Sequence, residues 1–163
     1  MTCRWMTLVS VAVVLAGFPA APAAAQTFTL NATLTGAGET PAPGLNTAAL
    51  GSAVVVVDMG ARTVTYTVAV FNLPSGVIAS HIHVGAIGTQ GPVVVNFAPP
   101  VPASNDFSFS GTVKDTEFVL RPDIGIRSAD DMFQAILGNN SYVNVHSQVN
   151  TGGEIRGQLI LKQ

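Results

Sequence analysis

Arg62-Thr63-Val64-Thr65-Tyr66-Thr67-Val68-Ala69-Val70-Phe71 is the stretch that decides the fold class. Thr63, Thr65 and Thr67 alternate with Val64, Tyr66 and Val68, so an extended chain here has one apolar face and one hydroxylated face. That is the period of a half-buried strand and it is incompatible with a helical stripe. Upstream, Ala49 to Asp58 is a second β-rich run, and Met59-Gly60-Ala61 between the two reads as the turn of a hairpin. Its Val54-Val55-Val56-Val57 core does not alternate, which predicts burial on both faces.

The same pattern extends in both directions. Phe28 to Thr35 places Phe28, Leu30, Ala32 and Leu34 against Thr29, Asn31, Thr33 and Thr35, and Gly36 to Asn46 follows as a loop. Beyond Phe71, strands are expected at the segment carrying His81 and His83, at Pro92 to Phe97, from Phe107, and at Ser141 to Ser147, with Glu154 to Leu161 closing a final hairpin after a turn at Val149 to Gly153. Ala98-Pro99-Pro100-Val101-Pro102 cannot donate a ladder and reads as an exposed link. Ser128 as a cap, Asp130 and Asp131 in a first turn, and the stripe Met132, Phe133, Ile136 and Leu137 before Gly138 predict one short helix near residues 128–137. The class is all-β, a sandwich or flattened barrel of about eight strands with that single helix.

Residues 1–25 read as a secretory signal peptide: Arg4 is the basic start, Met6 to Phe18 the apolar core, and Ala23-Ala24-Ala25 the small-residue cleavage site. Cys3 precedes the apolar core and so is not placed as a lipid-anchored cysteine would be. Residues 26–163 then form one domain, exported to the periplasm or the extracellular space, with no cysteine and no apolar run long enough to span a membrane. The mature chain must therefore hold together by packing. Seven basic residues against nine acidic ones, with no run of either sign, leave no footprint for nucleic acid.

The chemistry of the chain is concentrated in two segments, Ser80-His81-Ile82-His83-Val84-Gly85 and Tyr142-Val143-Asn144-Val145-His146, which hold all three histidines. Residues two apart on a strand share a face, so His81 stands with His83, and Tyr142 and Asn144 with His146. If the two strands are neighbours, three imidazoles meet on one polar patch. One reading is structural, with the ring nitrogens bonding loop carbonyls to lock strand ends together. The other is a mononuclear metal site, copper ahead of zinc, with His81, His83 and His146 as ligands and a fourth position open. Glu39, Tyr142, Asn144, Glu154 and Arg156 form a candidate polar cluster around them. Glu154 and Arg156 share a strand face, and the plain expectation for them is a surface ion pair contributing at most about 1 kcal/mol. A buried pairing of the arginine with Glu39 or Asp115 would matter more.

No serine lies in a Gly-x-Ser-x-Gly elbow, no carboxylate pair has a glycosidase context, and Gly85 to Gly91 precedes a strand rather than the helix that phosphate loops use. The sequence points away from an enzyme.

Three pieces in order, Glu39-Thr40-Pro41, then His81-Ile82-His83 with Gly91-Pro92-Val93-Val94, then Tyr142 to His146 with Gly152-Gly153-Glu154-Ile155-Arg156-Gly157-Gln158, resemble the chordin-type (CHRD) domain over nearly the whole mature chain. Val84 departs from the glycine more typical after the second histidine. The resemblance implies a Greek-key-like β-sandwich and extracellular placement, with no enzymatic activity to carry over. The expected role is a binding or structural one toward an extracellular or envelope partner.

Overall fold

The computed structural model describes residues 26–100 and 105–163. The expected signal peptide and part of the proline-rich link lie outside the described residues. In chain order the strands are β1 (Thr27–Thr35), β2 (Leu50–Asp58), β3 (Thr63–Phe71), β4 (Val77–Val84), β5 (Val93–Asn96), β6 (Phe107–Lys114), β7 (Ser141–Ser147), β8 (Ile155–Gln158) and β9 (Ile160–Leu161), with helix α1 (Ala129–Leu137) between β6 and β7. They make one antiparallel sheet in the order β5-β4-β7-β8-β1-β2-β3-β6, with β9 also on β1, and the sheet curls until it is nearly a closed barrel.

The threonine alternation decides which way β3 faces: Val64, Val68 and Val70 are fully buried while Thr65 and Thr67 are exposed. The valine run of β2 corrects the expectation of two-sided burial. Val55 and Val57 are fully buried but Val54 is 42% exposed, because a barrel strand has a single inward face and no second layer covers β2. Helix α1 starts at the Ser128 cap, whose hydroxyl accepts from the Asp131 N–H while the Asp131 carboxylate accepts from the Ser128 N–H. It buries Met132, Phe133 and Ile136, with Phe133 edge-on to Phe118.

The two ends of the sheet are joined from inside. Tyr66 on β3 stacks on Phe97 just past β5, with centroids 3.8 Å apart, and its hydroxyl accepts from the Ala98 N–H. Gly111 on β6 makes room for that ring, since a Cβ there would sit 2.5 Å from the Tyr66 hydroxyl. The outward side of β5 is occupied as well: Val119 N–H donates to Val94 C=O at 2.9 Å and Arg121 Nε to Val93 C=O at 3.1 Å.

Candidate functional site

Strands β4 and β7 are neighbours, and their register builds the site. His81 lies opposite Asn144, His83 opposite Tyr142, and Ala79 opposite His146, which makes His81 and His146 diagonal neighbours on one face. Asn144 lies in turn opposite Arg156 on β8, so a polar row runs His81, Asn144, Arg156 across three strands. The alternate residues Ile82, Val143, Val145 and Ile155 point inward and are fully buried. The histidines therefore sit on the outer face of the barrel. Each flank carries one extra residue that breaks the ladder, Val94 in β5 opposite the Ile82/His83 step and Ile78 in β4 beside His146, a device that re-aims side chains beside it.

An outer face is normally wet, yet here His83, Tyr142, Asn144, His146 and Arg156 are all buried. The cover is made of loops. Arg156 stacks its guanidinium 3.4 Å over the Tyr142 ring and donates from Nη1 to Thr40 Oγ1 at 3.0 Å and from Nη2 to Thr89 C=O at 2.7 Å, tying the 36–46 and 85–91 loops to β8. Gln90 Nε2 adds a bond to Thr40 C=O. Gly91 allows the second loop to close, because a Cβ there would lie 1.6 Å from Val84 C=O.

Within this cover, each imidazole brings one nitrogen to within 4.8 Å of the other two. The hydrogen bonds assign which nitrogen. His83 Nδ1–H donates to Gly91 C=O at 2.9 Å, leaving Nε2 as a buried lone pair with no partner. His146 Nδ1–H donates to Thr151 C=O at 3.0 Å, so its Nε2 accepts from His81 Nδ1–H at 3.2 Å. Bonds of about 2.0–2.1 Å at tetrahedral angles place ligand nitrogens about 3.3 Å apart. The His81–His146 pair has that spacing, and the widest separation would have to close by about 1.5 Å to match it. Carbonyl bonds to the far ring nitrogen fix ring orientation in the way that supports metal ligation.

Burial, reinforced by the neighbouring imidazoles, lowers His81 from 6.5 to about 4. Burial lowers His83 and His146 too, against the opposing pull of their carbonyl bonds. All three are therefore neutral at neutral pH, the form that binds metal. Glu39 moves the other way, raised by burial to about 7 even though Arg156 and Asn144 pull it down. The sign of the pH dependence follows. Metal-free protein is expected to lose stability as pH falls from 6.5 toward about 4, because the unfolded chain takes up a proton that folded His81 refuses. Glu39 opposes this trend, since its stabilising contribution is complete below 4.5 and is lost as pH rises through about 7. Glu39→Gln should thus steepen the acid-side loss of stability, as read from urea midpoints across that range; an unchanged slope would contradict the burial of Glu39.

Glu154 and Arg156 are not the surface ion pair expected for them. Both are buried, and among the described residues the ion pairs within 4.0 Å are those of Arg62 with Asp115 and Asp130. Asp115 thus belongs to Arg62, and Arg156 spends its donors on Thr40 and the loop carbonyl. The Glu154 carboxylate accepts from Thr47 Oγ1, Ser147 Oγ and Asn150 Nδ2. Burial pushes its pKa up, but those three hydrogen bonds outweigh it and hold the group below the ordinary range. Glu39, Tyr142, Asn144 and Arg156 line a cleft of about 310 Å³ together with His83, whereas Glu154 stands outside its lining. Thr89, Gln90 and Thr151, which help hold the cover in place, are loop residues with no periodicity or motif to announce them, whereas Thr40 falls in the Glu39-Thr40-Pro41 piece of the family resemblance.

A family model for the CHRD domain matches residues 30–159, which is most of the chain and contains every residue of the site just described. No curated protein and no solved structure matches the chain. The ordering of Glu39-Thr40-Pro41, the His81/His83 strand and the Tyr142-to-Gln158 hairpin, now seen to converge on one covered face of a nearly closed β-barrel, is that of this family, and the chain belongs to the CHRD domain family.

Proposed function

We propose that the chain is an exported, non-enzymatic binding module whose ligand at this site is a transition-metal ion, copper ahead of zinc, held by His81, His83 and His146. The observation that carries the reading is the orphaned lone pair on His83 Nε2, buried beside two imidazole nitrogens already at ligand spacing. Leaving a buried acceptor unpaired costs about 1–3 kcal/mol, and an ion shared with its neighbours would satisfy it. In the metal-free protein the His81 proton holds His81 and His146 together; metal would take that proton's place. Copper comes first because imidazole sites bind it most tightly among the first-row divalent ions. Export is supported by the signal-like residues 1–25. The binding character is supported by the family.

The structural reading also has its observation, the clamping of two loops by His83 and His146 through Gly91 and Thr151. Thermal melting at about pH 7.5 and about pH 5, with and without a strong chelator, separates the two. A bound ion should raise the melting temperature at the higher pH, with the gain shrinking at the lower, where protons compete for the same nitrogens. Curves indifferent to chelator at both pH values, in protein given one equivalent of copper, would leave the histidines as structural clamps.

A further inference from the structure

The three imidazoles have a fixed cation behind them and no anion among them. The His83 ring lies against Tyr142, 8° from parallel with centroids 4.8 Å apart, and the Arg156 guanidinium lies 3.4 Å over the same phenol ring. Strand β7 separates β4 from β8, so the stack runs His83, Tyr142, Arg156 across three strands and sets a permanent positive charge one aromatic ring away from a ligand. Arg156 is buried, and among the described residues no carboxylate oxygen comes within 4.0 Å of its guanidinium. Its donors go to the Thr40 hydroxyl and the Thr89 carbonyl, which are neutral. The charge is felt at the cluster: besides burial, His146 and Arg156 hold His83 down, while no carboxylate acts on any of the three rings. No Cys, Asp or Glu among the described residues joins the histidines within ligand range, so every side-chain donor to the ion is neutral.

We propose that the site selects monovalent copper over copper(II) and zinc(II), with Arg156 as the residue that sets the preference. This rests on the metal reading above. A dication held by three neutral imidazoles keeps both charges in a buried place, whereas Cu(I) keeps one. The cost of taking an ion out of water rises as the square of its charge, and its repulsion from Arg156 rises in proportion to it. Ligand number points the same way. Zinc(II) takes four ligands and copper(II) a tetragonal set, so either needs more than the three side chains supplied, while Cu(I) is content with three. The cluster holds no thiolate, so charge and ligand number set the preference rather than the softness of sulfur.

The test uses the unsubstituted mature protein without oxygen, with Cu(I) affinity read by competition against a chromogenic Cu(I) chelator and Cu(II) and zinc(II) affinities by competition titration at the same pH. Cu(I) should bind about tenfold or more tightly than Cu(II), equivalent to a rise of about 59 mV in the midpoint potential of bound copper over the aqueous couple. Cu(II) or zinc(II) bound as tightly as Cu(I) would overturn the proposal and leave the metal reading standing. Arg156→Gln removes the charge and should move the ratio of the two copper affinities about tenfold toward Cu(II), and Arg156→Lys, which keeps a cation, should restore it. The ratio separates charge from structure, because loosened loops weaken both ions together. An unchanged ratio in Arg156→Gln would overturn the proposal. Uptake of none of the three ions by the unsubstituted protein would overturn both the proposal and the metal reading.

Discussion

His146→Ala is expected to weaken copper(II) binding by about a hundredfold or more, since disturbing even the groups that orient a ligand costs 10–100-fold and this removes a ligand outright. Isothermal titration of metal-free protein is the measurement. The three histidines should not be equivalent. His146 does two things at once: its Nε2 is a ligand atom, and it holds His81 at 3.2 Å. Its loss therefore frees a second ring as well. His83 is fixed independently by Gly91 and by stacking on Tyr142 at 4.8 Å, so His83→Ala should remove one ligand and leave the other two in place. The expected order of damage is His146→Ala, then His83→Ala, with His81→Ala least, because His81 is the most exposed and has no carbonyl clamp. Affinities of the three variants that fall within twofold of the unsubstituted protein would remove metal binding from this site. Metal-free stability gives an independent check. Each substitution deletes a base that burial keeps neutral, so each variant should lose less stability in mild acid than the unsubstituted protein.

The largest stability effect is expected at Glu154. Its carboxylate is fully buried and collects three donors from three places: Thr47 in the first loop, Ser147 at the end of β7, and Asn150 in the β7–β8 turn. Glu154→Ala strands all three donors around a cavity, at a cost of about 3–5 kcal/mol by comparison with other broken buried charge networks. For a domain of this size that corresponds to a fall in melting temperature of about 10 °C. Glu154→Gln keeps the shape but turns an amide toward donors, and should fall between the two. The pH sign provides a control: because the folded carboxyl lies below its ordinary value, its contribution is complete above 4.5 and is lost as pH falls through the depressed folded value. The Ala variant should accordingly show a shallower acid limb. A melting temperature within 2–3 °C of the unsubstituted protein would mean that solvent replaces the carboxylate at little cost.

The sequence reveals the barrel more fully than it reveals the site. Alternation is local information, and in β1, β3 and the helix cap at Ser128 the local pattern agrees with the final burial. It misleads at Val54 to Val57, where four identical side chains carry no phase and only the curvature of the sheet determines which two go inside. The histidine pairing is readable in part: sharing of a face follows from spacing, but adjacency of β4 and β7 is a long-range fact that no local pattern encodes. Glu154 and Arg156 are misread as surface residues for a related reason. Their face is the outer one, and it is dry only because loops from three parts of the chain close over it. Thr89 does its part of that closing through a backbone carbonyl, which every loop possesses, while Thr40 and Gly91 act through a hydroxyl and a missing Cβ, roles that the pieces of sequence containing them do not spell out.

The occupied flank of β5 has a consequence for the company this molecule can keep. Val93-Val94-Val95-Asn96 is short, apolar and β-prone, the kind of rim segment onto which a second chain adds a strand. With Val119 N–H and Arg121 Nε already seated on the Val94 and Val93 carbonyls, that invitation is withdrawn one strand away from His81 and His83. Recognition on this side must then proceed through side chains and loops, which are free to vary in specificity, rather than through backbone pairing, which would accept any extended chain.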